Sequence, residues 1–201
     1  MSKIFENPMS MAAFFKASHG TWLNRRAVHH LDHQDDEAAD SNLIIEPFGP
    51  QDPEVSKICN NLNVKAEDCT GGARFWWESN TKKGVRNDDY AAIVIDIPER
   101  NDSRKGFLLR DVGYVEKNSV ISTYSFASDG VLTITTRYDS NIGIERCWFV
   151  TDQLRMRVSS VQCLDGVTMT TYCTEFRCPT DDEIREVAHR ASDLANRTPI
   201  L

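Results

Sequence analysis

The sequence predicts an all-β protein, an up-and-down antiparallel barrel of about ten strands with a helix near each end of the chain. Three observations predict this fold class. Short segments with strand-like alternation follow one another from Thr21 to Arg177. Gly, Asn, Asp or Pro residues separate these segments. Strong helical patterns occur mainly at the two termini. Serial strands joined by hairpins favour a closed barrel, because a parallel sheet needs long crossover connections.

A short helix is predicted from Pro8 to Ser18, at the start of the chain. Asn7 is the expected N-cap, Pro8 would occupy the first turn, and Gly20 lies just past the end. The apolar side of this helix would cover one end of the barrel.

Ten segments between the termini are predicted as strands. Asp129-Gly130 and Asp165-Gly166 are the strongest two-residue hairpin signals between them. The predicted strands are Thr21–Leu31, Asn42–Phe48, Ala73–Ser79, Tyr90–Ile97, Gly106–Gly113, Val120–Ala127, Val131–Tyr138, Ile144–Val150, Leu154–Cys163 and Thr168–Arg177.

Two further helices are predicted. One is short and runs from Asp52 to Leu62, between two strands. The other runs from Thr180 to Asn196, where Thr180 and Glu183 form a capping box ahead of apolar residues at helical spacing. No internal repeat or second domain is evident, so a single domain over residues 1–201 is expected.

Composition narrows the classes of function. A chain of 201 residues with 40% hydrophobic and 26% charged residues is large enough for one domain with a full core. A net charge of −7 argues against nucleic acid or an anionic membrane as a partner, and no apolar run could span a bilayer. The first six residues resemble neither a signal peptide nor a transit peptide. Six cysteines without a Cys-x-x-Cys pair are expected to be reduced thiols.

The segment from Glu145 to Ser160 is predicted to form two strands joined by a polar turn, and it carries a candidate ligand site. Because strand side chains alternate, Arg155, Arg157 and Ser159 share one face of the second strand. The two arginines would lie about 7 Å apart and suit a ligand with two carboxylates. The alternative is an ordinary polar strand face in contact with solvent.

The first of these two strands supplies a candidate proton donor or acceptor. Arg146 and Trp148 share one of its faces, whereas Glu145 shares the other with Cys147 and Phe149. Cross-strand ion pairs are expected among four residues of neighbouring strands, Glu145, Arg146, Glu175 and Arg177. The alternative is a carboxylate held beside a ligand, where it exchanges a proton.

Two further groups of residues are candidates for a ligand or metal site: a histidine-rich segment and the aromatic residues. His29, His30, Asp32 and His33 match no known zinc spacing, so a strand that runs into an acidic loop explains them and no metal is expected. The aromatic residues are expected in the core, where some would line a cavity and stack on a flat conjugated ligand. They are Trp22, Phe75, Trp76, Trp77, Tyr124, Phe126 and Trp148.

Five motifs spread over almost the whole chain carry a resemblance to a known family. The motifs are Phe14-Phe15-x-x-Ser18-x-Gly20-x-Trp22 with Arg26 and His29-His30; Ser41-x-Leu43; Gly71-Gly72-Ala73 with Trp76-Trp77; Glu145-Arg146-x-Trp148-Phe149 with Leu154-Arg155-x-Arg157-x-Ser159; and Glu175-x-Arg177. The fourth motif is the most specific. With these motifs the chain resembles the S-type phycobiliprotein lyases, the CpcS/CpeS chromophore lyase family.

The resemblance implies a lipocalin-like barrel with a pocket for a linear tetrapyrrole, or bilin, and no cofactor. Members attach the bilin to a cysteine of a phycobiliprotein alpha or beta subunit by a thioether at ring A. It also implies a location in the cytoplasm of a cyanobacterium or the plastid stroma of an alga. The choice between phycoerythrobilin and phycocyanobilin, and whether two copies form a homodimer, stay open.

The resemblance also implies a role for each matching residue. Arg155 and Arg157 would hold the bilin propionates, and Glu145 would contact the pyrrole nitrogens or assist protonation. The residues that would shape the pocket are Trp76, Trp77, Trp148 and Ser159, with Arg26 and Arg146 as secondary candidates. Two other functions stay open: a non-catalytic carrier of bilin or another apolar acid, and an interaction protein whose barrel is filled by its own side chains.

Overall fold

Ten antiparallel strands close into a barrel in the computed structural model, which describes residues 6–31, 35–78, 86–113, 118–163 and 166–178. Each strand pairs with its neighbours along the chain, and the first strand pairs with the last to complete the ring. The helices are α1 (Met11–Ser18) and α2 (Pro53–Leu62), with a short 3₁₀ helix at Ala66–Asp68. The strands are β1 (Gly20–His30), β2 (Asp35–Phe48), β3 (Gly71–Glu78), β4 (Arg86–Glu99), β5 (Asp102–Arg110), β6 (Val120–Phe126), β7 (Leu132–Arg137), β8 (Asn141–Thr151), β9 (Leu154–Cys163) and β10 (Gly166–Arg177).

The barrel confirms the predicted fold class and all ten strands. The largest differences are at β2, β4 and β5, which begin several residues earlier than predicted. The predicted helix between strands is present as α2. The predicted helix from Thr180 to Asn196 lies outside the described residues.

The start of α1 differs from the prediction. The helix begins at Met11, and Ser10 is its N-cap, since the Ser10 hydroxyl accepts the backbone N–H of Ala13 at 3.4 Å. Asn7 is not the cap, because its side-chain amide donates to the carbonyl of Asp129 at 3.2 Å. Both residue types cap helices well, so the three-dimensional position of Asn7 decides between them.

Helix α1 closes one end of the barrel. Its buried side chains Met11, Phe14 and Phe15 join the core that fills the barrel interior. The Phe14 ring packs edge-on against Phe149 of β8 with 5.4 Å between ring centroids. The opposite end of the barrel, where β1 ends at His30, is called the far end below.

One arginine ties the first helix to the last strand. The Arg177 guanidinium donates to the carbonyls of Ala17 at 2.6 Å and His19 at 2.5 Å, and its Nε donates to the carbonyl of Asp152 at 2.9 Å. It also lies 4.3 Å over the Trp22 ring. A cation is favourable here because the carbonyls at a helix C-terminus carry partial negative charge.

Helix α2 packs on the outside of the wall. Val55, Ile58 and Cys59 on its buried side contact Ile95 of β4 and Leu109 of β5. Among the described residues, no helix has the length and apolar character needed to cross a membrane.

Candidate functional site

The barrel interior holds a cluster of four charged side chains. Trp22 of β1 and Phe149 of β8 lie 6.0 Å apart although two strands separate β1 from β8, so both face inward. Alternation along β8 therefore turns Glu145 inward with Phe149. The cluster consists of Glu145, Arg155, Arg157 and Glu175.

Arg155 lies at the base of this cluster, next to α1. Its Nε donates to Glu175 at 2.6 Å and its Nη1 donates to the Ser18 hydroxyl at 2.8 Å. The guanidinium lies 4.9 Å over the Trp22 ring, and the residue is only 3% exposed. The protein's own groups therefore bind two donors of this guanidinium and cover one of its faces.

Arg157 connects the base of the cluster to Glu145. Its Nε donates to Glu175 at 3.2 Å, and its Nη1 donates to Glu145 at 3.3 Å. Its Nη2 donates to the sulfur of Cys173 at 3.3 Å. The side chains of Arg157 and Glu145 are 15% and 21% exposed, so this pair is more accessible than the pair below it.

Glu175 is charged in the folded protein although it is fully buried. Burial raises the pKa of its carboxyl group, but attraction and hydrogen bonds from Arg155 and Arg157 outweigh burial and leave the pKa below its ordinary value. The carboxylate and the two guanidinium groups thus stabilise each other in a place where any one of them alone would be unfavourable.

Two cysteine thiols lie beside the cluster and are held in the protonated form. Burial, followed by the nearby Glu145 carboxylate, raises the pKa of Cys147 well above its ordinary value. Burial also raises the pKa of Cys173. Because the thiolate is the nucleophile, both side chains are poor nucleophiles here.

The cluster forms one wall of a small cavity in the barrel. The cavity measures about 50 Å³, whereas a pocket that encloses a drug-sized ligand measures roughly 300–1,000 Å³. A four-ring ligand therefore fits only if it extends toward the far end or if side chains move. The lining residues are Met11, Phe14, Phe15, Leu43, Phe75, Trp77, Val94, Leu108, Arg110, Leu132, Ile134, Glu145, Cys147, Arg155 and Arg157.

The structure brings some of the predicted site residues together inside the barrel. Glu145, Arg155, Arg157 and Trp77 line the cavity. Ser159 shares the inner face of β9 with the two arginines, and it pairs in register with Glu145. Arg26 faces inward from β1, nearer the far end, because it shares the face of Trp22.

Three predicted site residues face outward instead, and the reason is strand alternation. Arg146 and Trp148 lie on the outer face of β8, opposite to Glu145 and Phe149. Trp76 and Trp77 are consecutive, so they cannot share a face. Trp77 points into the cavity, and the indole N–H of Trp76 donates to Glu78 at 3.0 Å on the outside.

The sequence prediction did not assign Ser18, Arg110 or Glu175 to the site. Ser18, which binds Arg155, is 137 residues away in the chain, and no local pattern predicts that contact. Arg110 is buried and lines the cavity from β5. Alternation could have found it, since Leu108 and Arg110 share a face at the end of a strand.

The histidine segment does not form a metal site among the residues that the structure describes. His29 pairs with Asp36 at 2.7 Å, and His30 pairs with Glu37 at 3.2 Å. Asp32 and His33 lie outside the described residues.

The family model and the curated relatives agree on one family. A family model described as "CpeS-like protein" matches residues 10–178. A relative from Synechococcus sp. (strain WH8020), named "Chromophore lyase CpcS/CpeS", is 61% identical over 193 residues, which cover 96% of both chains. The "Phycocyanobilin lyase subunit CpcS" of Picosynechococcus sp. is 33% identical over 183 residues, with 90% of this chain and 92% of the relative covered.

A solved structure shows the same likeness. The S-type phycobiliprotein lyase CPES from Guillardia theta superposes with a TM-score of 0.68 at 27% sequence identity. The match covers 86% of this chain and 94% of the other.

Proposed function

The chain belongs to the CpeS-like protein family, and from this premise we propose that it is a bilin lyase. It binds a linear tetrapyrrole and attaches it through a thioether bond to a cysteine of a phycobiliprotein subunit. The observation that carries the proposal, beside the family, is the Glu145–Arg157 pair on the wall of the barrel cavity.

The two kinds of cavity wall suit the two sides of a bilin. A bilin has flat apolar faces, pyrrole nitrogens along one edge and two propionate groups. Leu108, Leu132, Ile134 and Trp77 offer apolar surface to the faces. The arginine–glutamate cluster, whose Glu145 pairs in register with Ile134, adds charged groups, and such a mixture is typical of small-molecule sites.

Within this cluster Arg157 is the better candidate for binding a propionate. It is more exposed than Arg155 and lies between Glu145 and Glu175. Arg155 has an indirect role. It donates hydrogen bonds to Glu175 and Ser18, and it thereby fixes the position of the carboxylate that also binds Arg157. Since the cavity is small, the bilin is accommodated by extending from Arg157 toward the far end of the barrel or by displacing side chains.

The reaction needs orientation and charge stabilisation from the lyase. Free bilins add thiols slowly and with side products, so a barrel that fixes ring A and neutralises the propionates speeds the correct addition. Glu145, beside the conjugated system, steadies the charge that develops on the pyrroles and assists protonation. The lyase's own Cys147 and Cys173 stay protonated, so the reacting thiol comes from the acceptor subunit.

A two-step experiment tests the function against its rivals. The purified protein is mixed with phycoerythrobilin and, separately, with phycocyanobilin, and the visible absorption is recorded. A shifted and sharpened spectrum is expected, whereas an unchanged spectrum with both bilins supports a filled barrel that only binds other proteins. The bilin that gives the larger shift in absorption is identified as the one that the protein prefers.

The second step adds an apo-phycobiliprotein subunit. After denaturing electrophoresis, zinc-enhanced bilin fluorescence is expected on the subunit band and not on the lyase band. If the protein binds bilin but neither an alpha nor a beta subunit becomes labelled, the protein is a non-catalytic carrier. Light scattering of the same samples tests whether the lyase is a homodimer.

A further inference from the structure

The polar wall of the barrel interior continues beyond the charged cluster. Arg155 pairs in register with Glu175 of β10. Glu175 pairs with Asn24 of β1, which pairs in turn with Ser41 of β2. Side chains of residues that lie opposite each other point to the same side of a sheet, so Asn24 and Ser41 face inward with the cluster. Alternation along β1 agrees, because Asn24 is two residues from the inward-facing Trp22.

Asn24 is buried, and only one of its two polar groups is hydrogen-bonded within the described part of the chain. Its Nδ2 donates to the Ser41 hydroxyl at 3.1 Å, which fixes the orientation of the amide. Its Oδ1 is buried and accepts no hydrogen bond from the described residues. The residue as a whole is 2% exposed. A buried acceptor without a donor is unfavourable and uncommon, so this oxygen is suited to a donor that a ligand brings into the barrel.

Asn24 borders the cavity and lies near the middle of β1. Leu43, the diagonal neighbour of Asn24 on β2, lines the cavity, and so does Arg155 in the same row. Arg157 is the fourth residue of β9, counted from the end that α1 closes, and Asn24 is the fifth of the 11 residues of β1. The two residues thus lie at nearly the same height in the barrel, since strands of a closed barrel are tilted and their registers are staggered. A bilin bound at Arg157 therefore has Asn24 beside it, with only β10 between the two strands.

On the basis of the proposed lyase function, we propose that Asn24 is a further bilin-binding residue, and that its Oδ1 accepts a hydrogen bond from an N–H group of the tetrapyrrole. The pyrrole N–H groups lie along one edge of a bilin and are its hydrogen-bond donors. Arg157 has only donors, so it binds a propionate and not this edge. A neutral amide oxygen accepts an N–H without adding a charge beside the Glu145–Arg157 pair. Asn24 and Arg157 together fix the rotation of the tetrapyrrole in the barrel, which a propionate contact alone leaves open.

Asn24→Leu tests the contact, because it keeps the approximate size of the side chain and removes both polar groups. Titration followed by absorption should show an affinity for bilin that is lower by about tenfold, the effect of leaving a buried N–H without its acceptor. The bilin-free protein should unfold at a temperature no lower than that of wild type, since the substitution removes an oxygen that lacked a donor. Asn24→Ala removes the same groups in a smaller side chain and should lower the affinity in the same direction.

The dimethyl ester of the bilin identifies the part of the ligand that Asn24 binds. Esterification removes the charges of the propionates and leaves the pyrrole N–H groups. The loss caused by Asn24→Leu should therefore persist with the ester, whereas the loss caused by Arg157→Gln should largely disappear. Asn42→Leu is the matched control: Asn42 also has a buried Oδ1 without a partner in the described part of the structure, but it lies on the outer face of β2, next to the inward-facing Leu43. This variant should bind bilin as tightly as wild type.

Each failure has a distinct meaning. If wild type shows no absorption change with either bilin, the proposed lyase function fails, and the role of Asn24 fails with it. If wild type binds bilin and both Asn24 variants bind it as tightly, the function stands and the assignment of Asn24 is wrong. The assignment is also wrong if the loss disappears with the ester, or if Asn42→Leu causes an equal loss. A lower unfolding temperature without a loss of affinity would show that Asn24 only joins β1 to β2 through Ser41.

Discussion

Arg155 and Arg157, two residues apart on β9, share the single carboxylate of Glu175. Arg155 donates to one oxygen at 2.6 Å and Arg157 donates to the other at 3.2 Å. The two arginines are therefore not equivalent, since only Arg157 also reaches Glu145. The carboxylate below them determines how both guanidinium groups are presented to the cavity.

Glu175→Gln is expected to destabilise the protein by about 3–5 kcal/mol, because it leaves the buried Arg155 with a neutral partner and removes one of the two carboxylates that bind Arg157. Urea unfolding measures the change. Asp40→Asn is the matched control: it removes a carboxylate from the partly exposed Arg25–Asp40 pair, and we expect a loss of about 1 kcal/mol or less. Equal losses in the two variants would contradict the importance of the buried cluster.

The same variant should change how stability depends on pH. The folded-state pKa of Glu175 lies below its ordinary value of 4.5, so its contribution is complete above that value. The contribution is lost as pH falls through the folded pKa. Glu175→Gln should therefore lose less stability than wild type between pH 5 and the acid limit of folding, as measured by unfolding at a series of pH values. Parallel curves would contradict a lowered pKa.

Arg157→Gln is expected to weaken bilin binding by about 1.5–3 kcal/mol, the loss of a charge-assisted hydrogen bond. Titration followed by absorption measures it. Arg155→Gln should also weaken bilin binding. It should lower the free energy of unfolding more than Arg157→Gln does, since Arg155 contacts Glu175, Ser18 and the Trp22 ring.

Arg146→Gln is the control for the arginine series, because Arg146 lies on the outer face of the same wall. It should bind bilin as tightly as wild type. If Arg157→Gln also binds at the wild-type affinity, then Arg157 does not contact the propionates.

Glu145→Gln should affect transfer more than binding. The substitution keeps the shape and removes the charge beside the bilin, so we expect a shifted spectrum and a slower transfer to the apo-subunit. Stopped-flow absorption gives the rate, and a titration gives the affinity. An unchanged spectrum together with an unchanged rate would identify Glu145 as an ordinary ion-pair partner of Arg157.

Trp77→Leu should weaken bilin binding by about 1–2 kcal/mol, because the indole offers a large flat surface to the bilin. Trp76→Leu, one position away on the outer face, should leave the affinity within experimental error. Both values come from the same titration. A larger effect from Trp76 than from Trp77 would mean that the bilin binds outside the barrel.

The fold was predictable from the sequence because its signals are local. Alternation and turn residues define each strand without reference to distant parts of the chain. The side of the wall that a residue occupies was harder to predict. Nothing local distinguishes Trp76 from Trp77, and contacts with other elements, such as that of Phe75 with Phe15 of α1, show which one faces inward.

The site was predictable in its residue types but not in its connections. The spacing of Arg155 and Arg157 predicted a shared face, and the barrel places them so. The contacts that divide their roles are with Ser18 and Glu175, which lie on other elements far along the chain. Such contacts depend on how the barrel closes, and a strand pattern holds no information about that.

The hydrogen bonds from Arg177 to the end of α1 affect how the chain folds during synthesis on the ribosome. The partner of the Ala17 carbonyl is made 160 residues later, and β1 also pairs with the last strand to be made, β10. Until then the nascent chain presents two unpaired strand edges and the apolar side of its first helix to water. Closure therefore requires β10, and a product truncated before this strand should be a substrate for chaperones and proteases rather than a weakened enzyme.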